Sequence, residues 1–162
     1  MTEQSARPGE RYYISQAAQE LHHVFQQVTA HSCPHQYNFH MHTHCSDCKL
    51  TPGELMEQAV GLQLKGFAIT DHHTVRVYQK ACQWLENWRW KHPSNWTSNQ
   101  AKSKLPKLWC GVEITSSLLD VDVHILGYAF APDHKDIKPY LQGGAPSGAD
   151  RQARLVIKAI QS

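Results

Sequence analysis

Apolar and polar positions follow two alternating periods along the chain, and these predict helices and strands in turn. Residues 14–30 carry apolar side chains about every 3.6 positions, which predicts a helix. Residues 37–42 alternate with a period of two and predict a strand. A capping box with proline at the first helical position, Thr51 to Glu54, predicts a second helix that runs to about Leu64.

The remaining pattern continues this alternation. Short apolar runs predict strands at residues 67–70, 108–114 and 121–128, and a helix is predicted around Val77 to Trp88. Residues 91–107 are polar and are predicted to form a surface loop, residues 143–148 a turn or hinge, and the stretch from Ala153 to Ile160 a last helix. Strands that mostly alternate with helices favour an α/β architecture.

Imidazole and carboxylate side chains concentrate near the ends of the predicted strands. Residues two apart in a strand share a face, so His40 and His42 are expected to face one way and Phe39 and Met41 the other. Two imidazoles on one face can chelate a cation, although an isolated His-x-His pair is more often just half exposed.

The other predicted strands add further candidates at the same rim. Asp47 follows the first strand, His72 follows the second, Glu113 lies near the end of the third and His124 lies within the fourth. The carboxyl ends of strands in a parallel sheet gather at one rim. We therefore expect His40, His42 and Glu113 to converge there.

Composition restricts the setting of this site. The net charge of +2 is too small to indicate nucleic-acid binding, whereas twelve histidines among 162 residues hint at metal. The polar N-terminus has no apolar central run, and no stretch is long enough for a membrane span. With five cysteines, an odd number, a soluble cytoplasmic protein with free or metal-bound thiols is expected.

Four strings of residues resemble a known family. In the family's own order they match four motifs of the PHP (polymerase and histidinol phosphatase) domain: Asn38 to Thr43 with Ser46-Asp47, Thr70 to Thr74, Gly111 to Ile114, and His124 to Tyr128. The resemblance begins at about Tyr37. Residues 1–36 are accordingly predicted to be an N-terminal tail and helix, and residues 37–162 the N-terminal portion of a PHP domain.

The resemblance implies a fold, a cofactor and a ligand set. The fold would be part of a distorted (β/α)7 TIM-like barrel, and the cofactor two or three divalent ions of Zn, Mn or Fe. Its ligands would be His40, His42, Asp47, His72, Glu113 and His124, with Glu113 bridging two ions. Mixed imidazole and carboxylate donors suit these metals better than Mg²⁺ or Ca²⁺. Asp71 is expected either to orient a ligand in support of catalysis or to cap the turn after its strand.

The implied activity is metal-dependent hydrolysis of phosphate esters by activated water, a hydrolase function in nucleotide metabolism. The family branch with aspartate at the position of Asp47 acts on nucleoside 3′,5′-bisphosphates or short oligonucleotides, so the expected partner is a phosphorylated small molecule or an oligonucleotide. Histidinol phosphatase activity and a truncated, non-catalytic metal-binding or interaction module remain alternatives. A structural zinc site from His44, Cys45 and Cys48, with Cys33 or His35, ranks last because its second ligand pair is poor.

The chain departs from the family pattern in two places. Cys48 stands where the family has glycine, which would strain the backbone if φ were positive there. The family pattern continues with a His-Pro motif and a late Asp-x-His motif, whereas this sequence stops at Ser162, in the helix that would precede the His-Pro strand. We therefore expect an incomplete metal site and an open sheet edge through which the chain self-associates.

Overall fold

A computed structural model describes residues 15–91, 105–118, 121–135 and 137–141. The elements, in chain order, are α1 (Gln16–Gln27), β1 (Tyr37–Asn38), α2 (Pro52–Gly61), β2 (Gly66–Ile69), α3 (Arg76–Lys91), β3 (Lys107–Leu118), β4 (Val121–Tyr128) and a 3-10 helix (Lys138–Tyr140). The predicted tail, most of the surface loop, the hinge and the last helix fall outside the described residues.

Local sequence explains where the first two helices begin. The Ser15 side chain accepts the Ala18 N–H at 3.1 Å and caps α1. At α2 the Thr51 hydroxyl accepts the Glu54 N–H at 3.3 Å, and the Glu54 carboxylate accepts the Thr51 N–H at 2.8 Å. The capping box predicted from the sequence is therefore formed.

The four strands form one sheet in the order β1-β2-β3-β4. β1, β2 and β3 are parallel, whereas β4 runs antiparallel to β3. β4 follows β3 after only two residues, and such a short connection can return the chain only as an antiparallel neighbour. His124 reaches the rim because it pairs in register with Thr115, near the end of the parallel part of the sheet.

The first strand is shorter than the alternation predicted, and the predicted sharing of faces is wrong at Met41. Phe39 packs in a cluster with α1, whereas Met41 packs against the cluster formed by α2 and α3. The strand ends at Asn38, whose side chain accepts the His40 N–H at 3.2 Å. The Met41 carbonyl then accepts the Thr70 N–H at 2.8 Å, so the chain after β1 changes direction before it bonds again to the residue that follows β2.

Helices cover both faces of the sheet. One buried cluster joins α2 and α3 to β2 through side chains that include Met56, Phe67 and Val77, and a second joins α1 to the sheet through Leu21 and Trp109. Among the described helices, none is both long and apolar enough to cross a membrane.

The sheet curls so that the end of its last strand contacts the chain just after its first strand. The Tyr128 hydroxyl, at the end of β4, donates to the Phe39 carbonyl just after β1 at 2.7 Å. This curl turns the carboxyl ends of β1, β2 and β3 toward a common rim, where the candidate ligands lie.

Candidate metal centre

A buried carboxylate, Glu113, lies at the centre of the rim. Its side chain is only 3% exposed, because β3 lies between β2 and β4. Its Oε2 atom is 2.8 Å from His40 Nε2 and 3.0 Å from His42 Nε2. Its Oε1 atom contacts His124 Nδ1. Each of the two oxygens of this carboxylate is thus approached by at least one imidazole.

Backbone pairing brings His72 to the same carboxylate. Beyond the end of β2, His72 and Glu113 form an isolated parallel bridge. The Glu113 N–H donates to the Asp71 carbonyl at 3.3 Å, and the Glu113 carbonyl accepts the His73 N–H at 2.9 Å. This register places His72 Nε2 3.8 Å from Glu113 Oε2. The backbone pairing with β3, and not only the length of the side chain, therefore places His72 beside Glu113.

Asp47 lies on the solvent side of this cluster. Its Oδ1 is 3.3 Å from His42 Nδ1, and its Oδ2 is 3.5 Å from His72 Nε2. Burial raises the pKa of Asp47, but the hydrogen bond from Ser46 and the attraction of the two histidines outweigh it, so this pKa lies below its usual range. Asp47 is therefore charged at neutral pH.

The pKa of Glu113 is displaced in the same direction. Burial alone raises this pKa, because it disfavours the charged form. Hydrogen bonds from His40 and His124 and the attraction of His72 outweigh burial and hold the pKa below its ordinary value. The buried carboxylate is consequently an anion that needs positive neighbours.

The structure brings together all six candidate ligands that the family resemblance implied. They form three overlapping groups, within each of which the donor atoms lie within 4.8 Å of one another: His40–His42–Glu113, His42–Asp47–His72 and His72–Glu113–His124. Because each group shares a member with the next, the donors form one continuous surface.

The donor set fits divalent metal ions. Two charged carboxylates and four imidazoles supply nitrogen and oxygen donors of the kind that Zn²⁺, Mn²⁺ and Fe²⁺ accept. His72 Nε2 lies 3.5 Å from Asp47 Oδ2 and 3.8 Å from Glu113 Oε2, so this nitrogen faces both carboxylates as a candidate donor.

The Asp71 side chain hydrogen-bonds to Thr43 and Ser46 rather than to the six candidate ligands. It is 1% exposed, and its carboxylate accepts the Thr43 N–H at 2.6 Å, the Thr43 hydroxyl at 2.7 Å and the Ser46 hydroxyl at 2.9 Å. Ser46 in turn lies 3.0 Å from Asp47 Oδ1 and 3.4 Å from His42 Nδ1. Asp71 therefore supports the loop between His42 and Asp47.

Sequence reasoning missed Thr43 and Ser46. Both belong to the first motif, but neither is a usual metal donor, and their partner Asp71 lies 25 or more positions away in the chain. Only their hydroxyl groups, beside two predicted ligands, could have suggested a supporting role.

At Cys48 and its neighbours, the structure shows neither the backbone strain nor the cysteine-containing donor group that the sequence suggested. Among the described non-glycine residues, positive φ occurs at Gln63, His73 and Ala129, so the strain expected for a residue in place of glycine is absent at Cys48. Within the described ranges, no group of three donors contains a cysteine or His44. The structural zinc hypothesis therefore lacks its ligand cluster.

Known proteins share this pattern. The PHP domain model matches residues 38–159. A 5′-3′ exoribonuclease, Rnm, from Salmonella typhimurium is 30% identical over 118 residues, which is 73% of this chain and 34% of the relative.

Two solved structures share the fold. An amidohydrolase from Chromobacterium violaceum, solved with bound sulfate and without metal, has a TM-score of 0.52 at 24% identity over 66% of this chain and 32% of that one. A candidate metal-dependent phosphoesterase from Bifidobacterium adolescentis has a TM-score of 0.50 at 25% identity over 80% of this chain and 52% of that one.

The chain thus spans about a third to a half of the length of these relatives. The family match covers most of the chain and includes all six candidate ligands. The α/β fold with a curled, barrel-like sheet agrees with the fold of the two solved structures. The chain belongs to the PHP domain family.

Proposed function

We propose that the six donors hold two or three divalent metal ions and serve the hydrolysis of phosphate esters. The observation that carries this proposal is the convergence of four imidazoles on the buried, charged Glu113, with Asp47 beside two of them. Divalent ions held there would neutralise the charge of a phosphate and lower the pKa of bound water.

The candidate site has a buried part, which would help to hold the metal ions, and an exposed part, from which a substrate can approach. Glu113 and Asp71 are almost fully buried and form the floor of the site. His40, Asp47 and His124 are at least half exposed in their side chains, so a phosphate ester can approach from this side. Asp71 acts as a positioning residue, because it fixes Ser46 beside His42 and Asp47.

Nucleotide or oligonucleotide substrates are favoured within this proposal. Support comes from aspartate at position 47, which resembles the family branch acting on nucleoside 3′,5′-bisphosphates and short oligonucleotides, and from the similarity to a 5′-3′ exoribonuclease. Histidinol phosphatase activity is the second candidate. A non-catalytic metal-binding or interaction module is the third.

The products distinguish these candidates: phosphate from the two small phosphate monoesters, and mononucleotides from the oligoribonucleotide. The chain is assayed with Mn²⁺ on adenosine 3′,5′-bisphosphate, a 5′-phosphorylated oligoribonucleotide and histidinol phosphate, with and without a chelator. His42→Ala is expected to lower turnover roughly 100-fold or more, since even outer partners of a ligand often contribute 10–100-fold.

His44→Ala is the matched control, because His44 is an exposed histidine two residues away that belongs to no donor group. It should keep wild-type turnover. Full activity in excess chelator contradicts the proposed mechanism. Metal binding without release of phosphate from the two small phosphate monoesters or of mononucleotides from the oligoribonucleotide supports the non-catalytic alternative.

A further inference from the structure

His73 adopts an uncommon backbone conformation next to a candidate ligand. Its φ is 51°, in the left-handed region that residues other than glycine seldom occupy. Its N–H nevertheless donates to the Glu113 carbonyl at 2.9 Å, which completes the bridge between His72 and Glu113. The chain thus leaves β2 sharply at His73 while still bound to β3.

The ring of His73 makes a second contact with the same strand. Its Nε2 accepts the Thr115 N–H at 3.3 Å. Glu113 and Thr115 are two residues apart, so their backbone groups point to the same edge of β3. β2 has already ended at this level, at Ile69, and the imidazole supplies the acceptor that another strand residue would have provided.

These two contacts hold β3 at the level where it carries the centre. The first fixes the backbone of Glu113, and the second fixes Thr115, which pairs in register with His124 on β4. Movement of Thr115 would therefore shift His124 relative to the Glu113 carboxylate that it contacts. His73 itself belongs to none of the three donor groups.

We propose that His73 is a positioning residue whose imidazole, as an acceptor for the Thr115 N–H, keeps Glu113 and His124 in the mutual placement that the metal centre needs. This inference rests on the proposed metal centre. It assigns to the second histidine of Thr70-Asp71-His72-His73-Thr74 a task different from that of His72, which faces the carboxylates directly.

The test uses His73→Gln and His73→Leu as a matched pair. Both place an unbranched Cβ in the same positive-φ backbone, so the backbone cost is shared. The glutamine oxygen lies three bonds from Cβ, like the Nε2 of histidine, and can accept the Thr115 N–H, whereas leucine has no acceptor. If the leucine variant does not fold, His73→Asn replaces it, because the asparagine oxygen lies one bond closer to Cβ than the histidine Nε2 does.

Co²⁺ alone is the probe, titrated into the full 162-residue chain and followed by its d–d absorption. His73→Leu is expected to weaken Co²⁺ binding roughly tenfold and alter the absorption band, whereas His73→Gln should stay within about twofold of wild type. Amide hydrogen exchange at Thr115, measured by NMR, should accelerate in the leucine variant and not in the glutamine variant.

Wild-type affinity and an unchanged band in His73→Leu would overturn the inference. Equal weakening in the leucine and glutamine variants would also overturn it, because the acceptor would then be irrelevant. Failure of the wild-type chain to bind Co²⁺ would instead refute the metal centre itself, and this inference with it. The wild-type titration therefore separates the two failures.

Discussion

A single carboxylate, Glu113, accounts for most of the organisation at the rim. An ionised carboxylate with 3% exposure is costly unless cationic or hydrogen-bonding partners surround it. Here four imidazoles approach it, and its pKa lies below its usual range despite burial. Metal ions that bind the same donors would compensate the buried charge more completely than neutral imidazoles can.

Ser46 offers a test of the support beneath this cluster. Its hydroxyl lies within hydrogen-bond distance of Asp71, Asp47 and His42, so it links the buried floor to two candidate ligands. Ser46→Ala is expected to weaken Mn²⁺ binding roughly tenfold, because partners of a ligand commonly contribute that much. Competition with a chromogenic chelator measures the affinity.

Ser46→Thr keeps the hydroxyl and is the control for this experiment. It should retain most of the affinity that alanine loses. Unchanged Mn²⁺ affinity in Ser46→Ala would show that Asp71 and Ser46 maintain the loop without influencing the ligands.

At the scale of elements, the sequence predicts best what local contacts decide. The capping box of α2 involves Thr51 and Glu54, three residues apart, and it forms as predicted. The side of the sheet on which Met41 packs depends instead on a hydrogen bond from Thr70, 29 positions away. It could not be predicted from strand alternation. The role of His73 depends likewise on Thr115, a contact across 42 positions.

The convergence of the candidate metal ligands could also be predicted from the sequence. His40, His72 and Glu113 lie near strand ends, and the topology of a parallel sheet brings such ends to one rim whatever the detailed packing. The antiparallel direction of β4 was not predicted. Its placement of His124 follows from the register with β3, which the sequence does not specify.

The α2 capping box gives a prediction at this scale. Thr51→Ala should lower the free energy of unfolding by about 1 kcal/mol, because it removes the acceptor for the Glu54 N–H. Urea denaturation measures the change, and Thr51→Ser, which keeps the hydroxyl, should lose much less. An alanine variant as stable as wild type would contradict this account of how α2 begins.

The cap should also depend on pH. Hydrogen bonds from Thr51 lower the pKa of Glu54 in the folded chain. A carboxyl whose folded-state pKa is lowered contributes stability above its unfolded-state pKa, and that contribution is lost as the pH falls through the folded-state pKa. The difference between wild type and Glu54→Ala should therefore shrink in acid.

At the scale of the whole molecule, one edge of the described sheet is open to association. β1 is the outermost strand on its side, and a groove lined by Met41, Leu55 and Leu62 runs beside it. Leu62 is 70% exposed. An outer strand beside apolar side chains is a site where copies of a chain tend to pair.

The sequence predicts self-association through the edge of the last strand, and we predict it for this β1 edge as well. The weight-average mass from sedimentation velocity should rise with protein concentration, and Leu62→Lys should reduce that rise by placing charge in the groove. Gln63→Lys, which changes the charge by the same amount one residue away, is the control. A constant monomer mass over the accessible concentrations would contradict the prediction.

The most direct test of the central claim is the number of metal ions bound per chain. Wild type and Glu113→Gln are dialysed to equilibrium against buffered Mn²⁺ or Zn²⁺, and bound metal is counted by mass spectrometry of the elements. Glutamine keeps the size of the side chain but removes the charge that His40, His42 and His124 approach. We expect two or three ions in wild type and fewer than one in the variant. Equal metal content in the two proteins, or none in wild type, would contradict a metal centre built around Glu113.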